Sequence, residues 1–130
     1  MKIDRLDHFV ITVKDIDATI AFYEKVLGMQ AVTFAGGRRA LSFGQSKINL
    51  HDAAKPFVPH ARQPLPGTAD VCFITMTPIA EVIAHLKQCG IAIEQGPVPK
   101  TGALGPITSV YFRDPDGNLI EVSNYNQAKE

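Results

Sequence analysis

The feature that most constrains this sequence is an internal repeat. Gly28 and Gly90, 62 residues apart, each close a segment whose apolar residues fall at helical spacing, and each segment follows a strand-like stretch. In the first copy, Phe9, Ile11 and Val13 alternate with His8, Val10 and Thr12, the period of a half-buried strand. Asp15 stands where an N-cap belongs. Ile16, Ile20, Tyr23 and Leu27 follow at helical spacing, and Gly28 supplies the C-cap. Strand signals recur at 30–34, 39–43 and 47–51, with Gly36, Gly37 and Gly44 in the turns between them. In the second copy, Asp70–Ile74 reads as a strand, and Thr77 and Pro78 as N-cap and first helical position. Ile79, Val82, Ile83 and Leu86 form an apolar stripe that Gly90 ends. Short strands are predicted near 92–94, 107–113 and 118–124, with Asp114-Pro115-Asp116-Gly117 turning between the last two. Each copy reads β-α-β-β-β, and a period of this kind suggests two copies of one unit that share or pair their sheets.

The organisation is a single domain over 1–130. A first module spans about 4–52, a connector 53–68, and a second module about 69–125. The connector carries Pro56, Pro59, Pro64, Pro66 and Gly67 and shows no period. A connector of this length in a compact domain is uncommon and needs a reason.

Composition narrows the function. Lysine plus arginine equals aspartate plus glutamate, 13 each, and the pI is about 6.9. A balanced chain has no long-range field to draw it to nucleic acid or an anionic membrane. No apolar run approaches the ~18 residues of a membrane helix. The first seven residues lack the apolar core of a signal peptide, so a cytoplasmic location is expected. Cys72 and Cys89 make no disulfide framework, and neither has a histidine or basic residue beside it in sequence to activate a thiol. Both read as small buried hydrophobes.

Polar residues interrupt the first and last strands of each module. In the first they are His8, then Asn49 and His51, which share a strand face because they are two residues apart. In the second they are Asp70 and Glu121. Imidazole nitrogens with a carboxylate suit a first-row divalent metal. Hydrogen-bonded structural histidines and a solvent-facing glutamate fit the same pattern. Ser109, Tyr111, Asn124 and Tyr125 fall near the same strands, where they could shape a pocket or pack an edge, while His60 and His85 read as exposed.

The stretches 6–13, Phe22-Tyr23 and 26–29 resemble the opening module of the vicinal oxygen chelate (glyoxalase/bleomycin resistance/dioxygenase) superfamily. Residues 111–122 resemble its closing hairpin and metal-binding strand. A closer similarity is to the glyoxalase domain-containing protein 5 group, through 47–51, 64–67, 96–103 and 120–125. The resemblance covers about residues 5–125. It implies an α+β fold of two tandem βαβββ modules forming a cup-shaped mixed sheet, with the helices on its outer face. It implies one divalent metal ion, zinc, nickel, manganese or ferrous iron. His8 and Glu121 match two of the superfamily's ligands. Asp70 stands where a histidine is usual, and Asn49 where glyoxalase I has a glutamate. The implied set is therefore His8, His51 and Glu121, with Asp70 or Asn49 as fourth ligand or orienter.

Three functions compete. The first is a lactoylglutathione-lyase-like lyase or isomerase acting on a small oxygenated metabolite. The metal stabilises an enediolate and Glu121 moves the proton as catalytic base. Arg38, Arg39, Tyr111 and Asn124 would contact the substrate. The second is a ring-cleaving dioxygenase, in which two histidines and a carboxylate hold ferrous iron. The third is a metal-free small-molecule or antibiotic-binding protein. Superfamily members of this length are often homodimers, so a homodimer is expected, with no nucleic-acid or membrane partner.

Overall fold

The structure is a computed structural model that describes residues 1–126. It divides into two units. Unit 1 comprises Met1–Ala69 with Pro115–Gly117, and unit 2 comprises Asp70–Asp114 with the chain from Asn118 onward. Unit 1 carries β1 (His8–Val13), α1 (Ile16–Leu27), β2 (Gln30–Phe34), β3 (Arg38–Phe43) and β4 (Ser46–Asp52). Unit 2 carries β5 (Asp70–Ile74), α2 (Ile79–Gln88), β6 (Gln95–Gly102), β7 (Gly105–Arg113) and β8 (Leu119–Tyr125). The β-α-β-β-β reading of each copy therefore holds.

The sheets have identical topology. Strand order is β1-β4-β3-β2 in unit 1 and β5-β8-β7-β6 in unit 2. The first and last strands of each unit pair in parallel, and the remaining pairs are antiparallel. Parallel pairing needs a crossover, which α1 begins in unit 1 and α2 in unit 2. In unit 1, Ile11, Val13, Leu41, Ile48 and Leu50 on one sheet face are buried, as are Ile20, Tyr23 and Val26 of α1. In unit 2, Val110, Phe112, Ile120 and Val122 are buried with Val82 and Leu86 of α2. Burying one such side chain contributes about 1.5–3 kcal/mol, so these faces hold each helix on its sheet.

Local signals explain the helix ends. The Asp15 carboxylate accepts from the Ala18 amide at 3.0 Å, and Gly28 adopts φ 65°, where a side chain would be strained. The second helix starts one residue later than expected. Pro78 is its N-cap, with ψ 141°, and Thr77 lies outside it.

The largest departure is β6. A short strand was expected at 92–94, yet the strand runs from Gln95 through Pro97 and Pro99 to Gly102. Prolines normally argue against a strand because they cannot donate to the ladder. Here β6 is the sheet edge, bonded on one side only, and its register slips between Gln95 and Val98. An edge tolerates those missing donors. The connector holds no strand of its own beyond an isolated Asp52–Lys55 bridge. No helix among the described residues is long and apolar enough to cross a membrane.

Candidate functional site

Glu121 is the best-held of the expected site residues. On β8 it faces Cys72 of β5 and Tyr111 of β7. The Ser109 hydroxyl donates to Glu121 Oε2 at 2.6 Å, and Ser123 Oγ lies 2.6 Å from Ser109 Oγ. Cys72 Sγ lies 3.4 Å from Ser123 Oγ. Each of these groups has one proton. If Ser109 gives its proton to the carboxylate, it must accept from Ser123, which in turn accepts from the thiol. The chain of donors thus points at Glu121. Ser109 and Ser123 are fully buried, which strengthens such a chain and fixes the plane of the carboxylate. Burial pushes the Tyr111 hydroxyl up to about 12, with hydrogen bonding to Glu121 and its charge adding to the effect. Tyr111 therefore keeps its proton at neutral pH and presents a donor to that carboxylate. Burial also raises the Cys72 thiol, so this exposed cysteine is no ready thiolate, though it is not the buried hydrophobe expected.

His8 begins β1 and is part-exposed. Its Nδ1 lies 2.7 Å from Asp7 Oδ2, and that bond holds the Asp7 carboxyl below its usual range. The bond orients the ring, as the outer partner of a metal-ligating histidine does. Asn49 sits beside Val10, two residues beyond His8, and its Oδ1 is buried with no hydrogen-bond partner. Glu121 stands at the matching place in unit 2, beside Cys72 and two residues beyond exposed Asp70.

The register sets His51 along the sheet from His8. His8 pairs with Lys47 and His51 with Thr12. Four residues, roughly 13 Å of strand backbone, lie between their Cα positions. His51 has its own surroundings. It is 4% exposed, and neither ring nitrogen has a hydrogen-bond partner. The Phe57 ring from the connector lies 6.1 Å from it. This gives the long connector a role: it lays an aromatic ring over the end of β4.

Burial, then the charges of Arg38 and His60, lowers the His51 pKa from 6.5. The folded chain thus keeps His51 neutral where the unfolded chain protonates it. Below about pH 6.5 the unfolded state binds more protons, so stability falls as pH drops towards the folded pKa. Wild-type Tm should fall more steeply than that of His51→Gln between pH 7.5 and 5. Parallel curves would show that His51 is not held neutral.

Arg38 and Arg39 separate because strand neighbours point to opposite faces. Arg38 shares the face of Asn49 and His51. Arg39 lies on the α1 side, where its guanidinium approaches Asp17 at 3.9 Å. Asn124 lies on the face opposite Glu121, and its amide donates to the carbonyls of Thr75 and Thr77, both at 2.9 Å, pinning the loop before α2. Residues given no role from sequence include Lys47, Phe34 and Phe57. The pairing register and ring contacts reveal them.

No group of three or more His, Cys, Asp and Glu side chains gathers at metal-ligand spacing among the described residues. Unit 1 holds an oriented imidazole at His8 and an unpartnered amide oxygen at Asn49, and unit 2 holds a fixed carboxylate at Glu121.

The family model described as the Glyoxalase/Bleomycin resistance protein/Dioxygenase superfamily matches residues 5–122. Virulence protein STM3117 of Salmonella typhimurium is 59% identical over 125 residues, covering 96% of this chain and 87% of that protein. Its crystal structure superposes with a TM-score of 0.96, covering 97% of this chain and 100% of the other. Glyoxalase domain-containing protein RDO1 of Mycosarcoma maydis is 52% identical over 129 residues, covering 99% of this chain and 73% of its own. Lactoylglutathione lyase from Agrobacterium tumefaciens is 25% identical, with a TM-score of 0.72 over 95% of this chain and 96% of its own.

Proposed function

Because the chain belongs to the glyoxalase/bleomycin resistance protein/dioxygenase superfamily, we propose that it is a metal-dependent enzyme of glyoxalase type, acting on a small oxygenated metabolite. The observation that carries this reading is the carboxylate of Glu121, fixed through one oxygen by the fully buried Ser109 hydroxyl. A carboxylate so oriented is suited to proton transfer, which requires a defined geometry as well as basicity.

His8 and Glu121 are the proposed metal ligands, with Asn49 and Asp70 as further oxygen donors. When bound, the divalent metal supplies Lewis-acid stabilisation of negative charge on substrate oxygens. Glu121 takes the proton from the hydroxyl-bearing carbon beside the substrate carbonyl and returns it to the former carbonyl carbon, while the hydroxyl proton passes to the former carbonyl oxygen, so the reaction is an isomerisation with no net redox change. Ser109 holds the plane of the carboxylate throughout, and Tyr111 offers it a hydrogen bond that neutral pH does not remove. Asp7 keeps the His8 ring oriented. His51, set apart from His8 by the register, contacts substrate. The proposed assembly is a homodimer, which light scattering would read as twice the 14.1 kDa chain mass.

The reading is tested by incubating the protein in deuterium oxide with a panel of α-hydroxycarbonyl compounds, thiol adducts included. NMR should show deuterium entering the carbon beside the carbonyl, dependent on added divalent metal. Oxygen uptake without exchange on a catechol would replace this reading with the ring-cleaving dioxygenase.

A further inference from the structure

The site-bearing face of the unit 1 sheet carries cations and no anions. By register it is lined by His8, Val10 and Thr12 of β1, Lys47, Asn49 and His51 of β4, and the same-side residues of β2 and β3. No aspartate or glutamate occurs among these strand positions. Arg38 and Lys47 project from this face, and both lie over one aromatic ring. The Arg38 guanidinium is 4.9 Å, and the Lys47 ammonium 3.6 Å, from the centroid of Phe34. Arg38 also stacks on Phe57 at 4.1 Å. Neither cation has a carboxylate within ion-pair distance among the described residues.

Two like charges beside one ring repel each other, and cation–π attraction of about 0.5–2 kcal/mol per contact only partly offsets that. The Asp7 carboxylate feels the Lys47 charge from beyond ion-pair distance, and an anion between the two cations would meet both directly. Beside them the buried ring of His51 has two unsatisfied nitrogens. The ring carries an N–H, and leaving it unpaired costs about 1–3 kcal/mol, so a carboxylate that accepts from it gains that much.

We infer that Arg38, Lys47 and His51 form an anion subsite on the aromatic floor of Phe34 and Phe57, and that its ligand is a carboxylate carried on a planar apolar body. The guanidinium fork matches a carboxylate in two parallel hydrogen bonds. His51 provides one N–H donor from a neutral ring. The half-exposed face of Phe57 accepts a flat apolar group by offset stacking. In calling this ligand a substrate, the inference rests on the proposed enzyme. The binding itself needs no metal, so it can be measured on metal-stripped protein and stands or falls separately.

The experiment is isothermal titration of the metal-stripped full chain with benzoate, and with benzamide as its uncharged counterpart. Benzoate should bind saturably at one site, at least tenfold tighter than benzamide. Arg38→Gln and Lys47→Gln should each weaken it by about tenfold. In the wild-type protein, which needs no variant to fold, the His51 ring proton resonances should move during the same titration. Equal binding of benzoate and benzamide, full affinity in both variants, or a stationary His51 signal would each overturn the inference.

Discussion

Glu121→Gln is expected to slow metal-dependent hydrogen exchange at the substrate carbon by about a thousandfold, the usual scale for removing a general base. The substitution keeps the side-chain volume. Ser109 can still donate to the glutamine carbonyl as it donates to Oε2 at 2.6 Å now, so the fold and the buried serine pair should survive. What disappears is the basic oxygen, one negative charge and a proposed metal ligand. The effect should therefore appear in turnover and in metal content, with thermal stability of the metal-free protein within about 1 kcal/mol of metal-free wild type. A variant that exchanges at the wild-type rate would place the base elsewhere.

Gly96→Ala should have the largest effect on stability of any glycine change in unit 2. Gly96 has φ 115°, and a Cβ there would lie 2.4 Å from the Ser109 carbonyl oxygen and 2.9 Å from the Val110 Cα. Both obstacles are backbone, so neither can rotate away. The strand must shift off β7, carrying strain to the residue that holds Glu121. The combined backbone and packing cost is about 3 kcal/mol, read as a fall on the order of 10 °C in Tm. Gly105→Ala is the matched comparison. Its φ of 139° is also unfavourable for a side chain, but its Cβ would meet nothing within 4 Å. It should cost only about 1 kcal/mol of conformational strain. Equal losses in the two variants would mean that the close approach to β7 contributes nothing.

Much of this fold was legible because its signals are local. Alternation from His8 to Val13, the Asp15 and Gly28 caps and the repeat of both glycines each depend on a few neighbouring residues. The β6 strand was not legible, because Pro97 and Pro99 are acceptable only at an edge, and edge position belongs to the whole sheet. The site divides in the same way. His8 and Glu121 stood out by residue type and position in the repeat. Their orienting partners did not all stand out, since Ser109 meets Glu121 only through the β7–β8 register. The same non-local register sets His51 four residues from His8 along the strands. Arg39 and Asn124 lie on the helix sides of their sheets, one residue out of phase with Arg38 and Ser123.

Metal content per chain, by elemental analysis of protein purified without a histidine tag, tests the proposed divalent metal at His8 and Glu121. Wild-type protein should carry about one equivalent, and His8→Ala and Glu121→Gln should each lose it while remaining folded. Wild-type protein that stays metal-free after reloading, or variants that both retain a full equivalent, would contradict it.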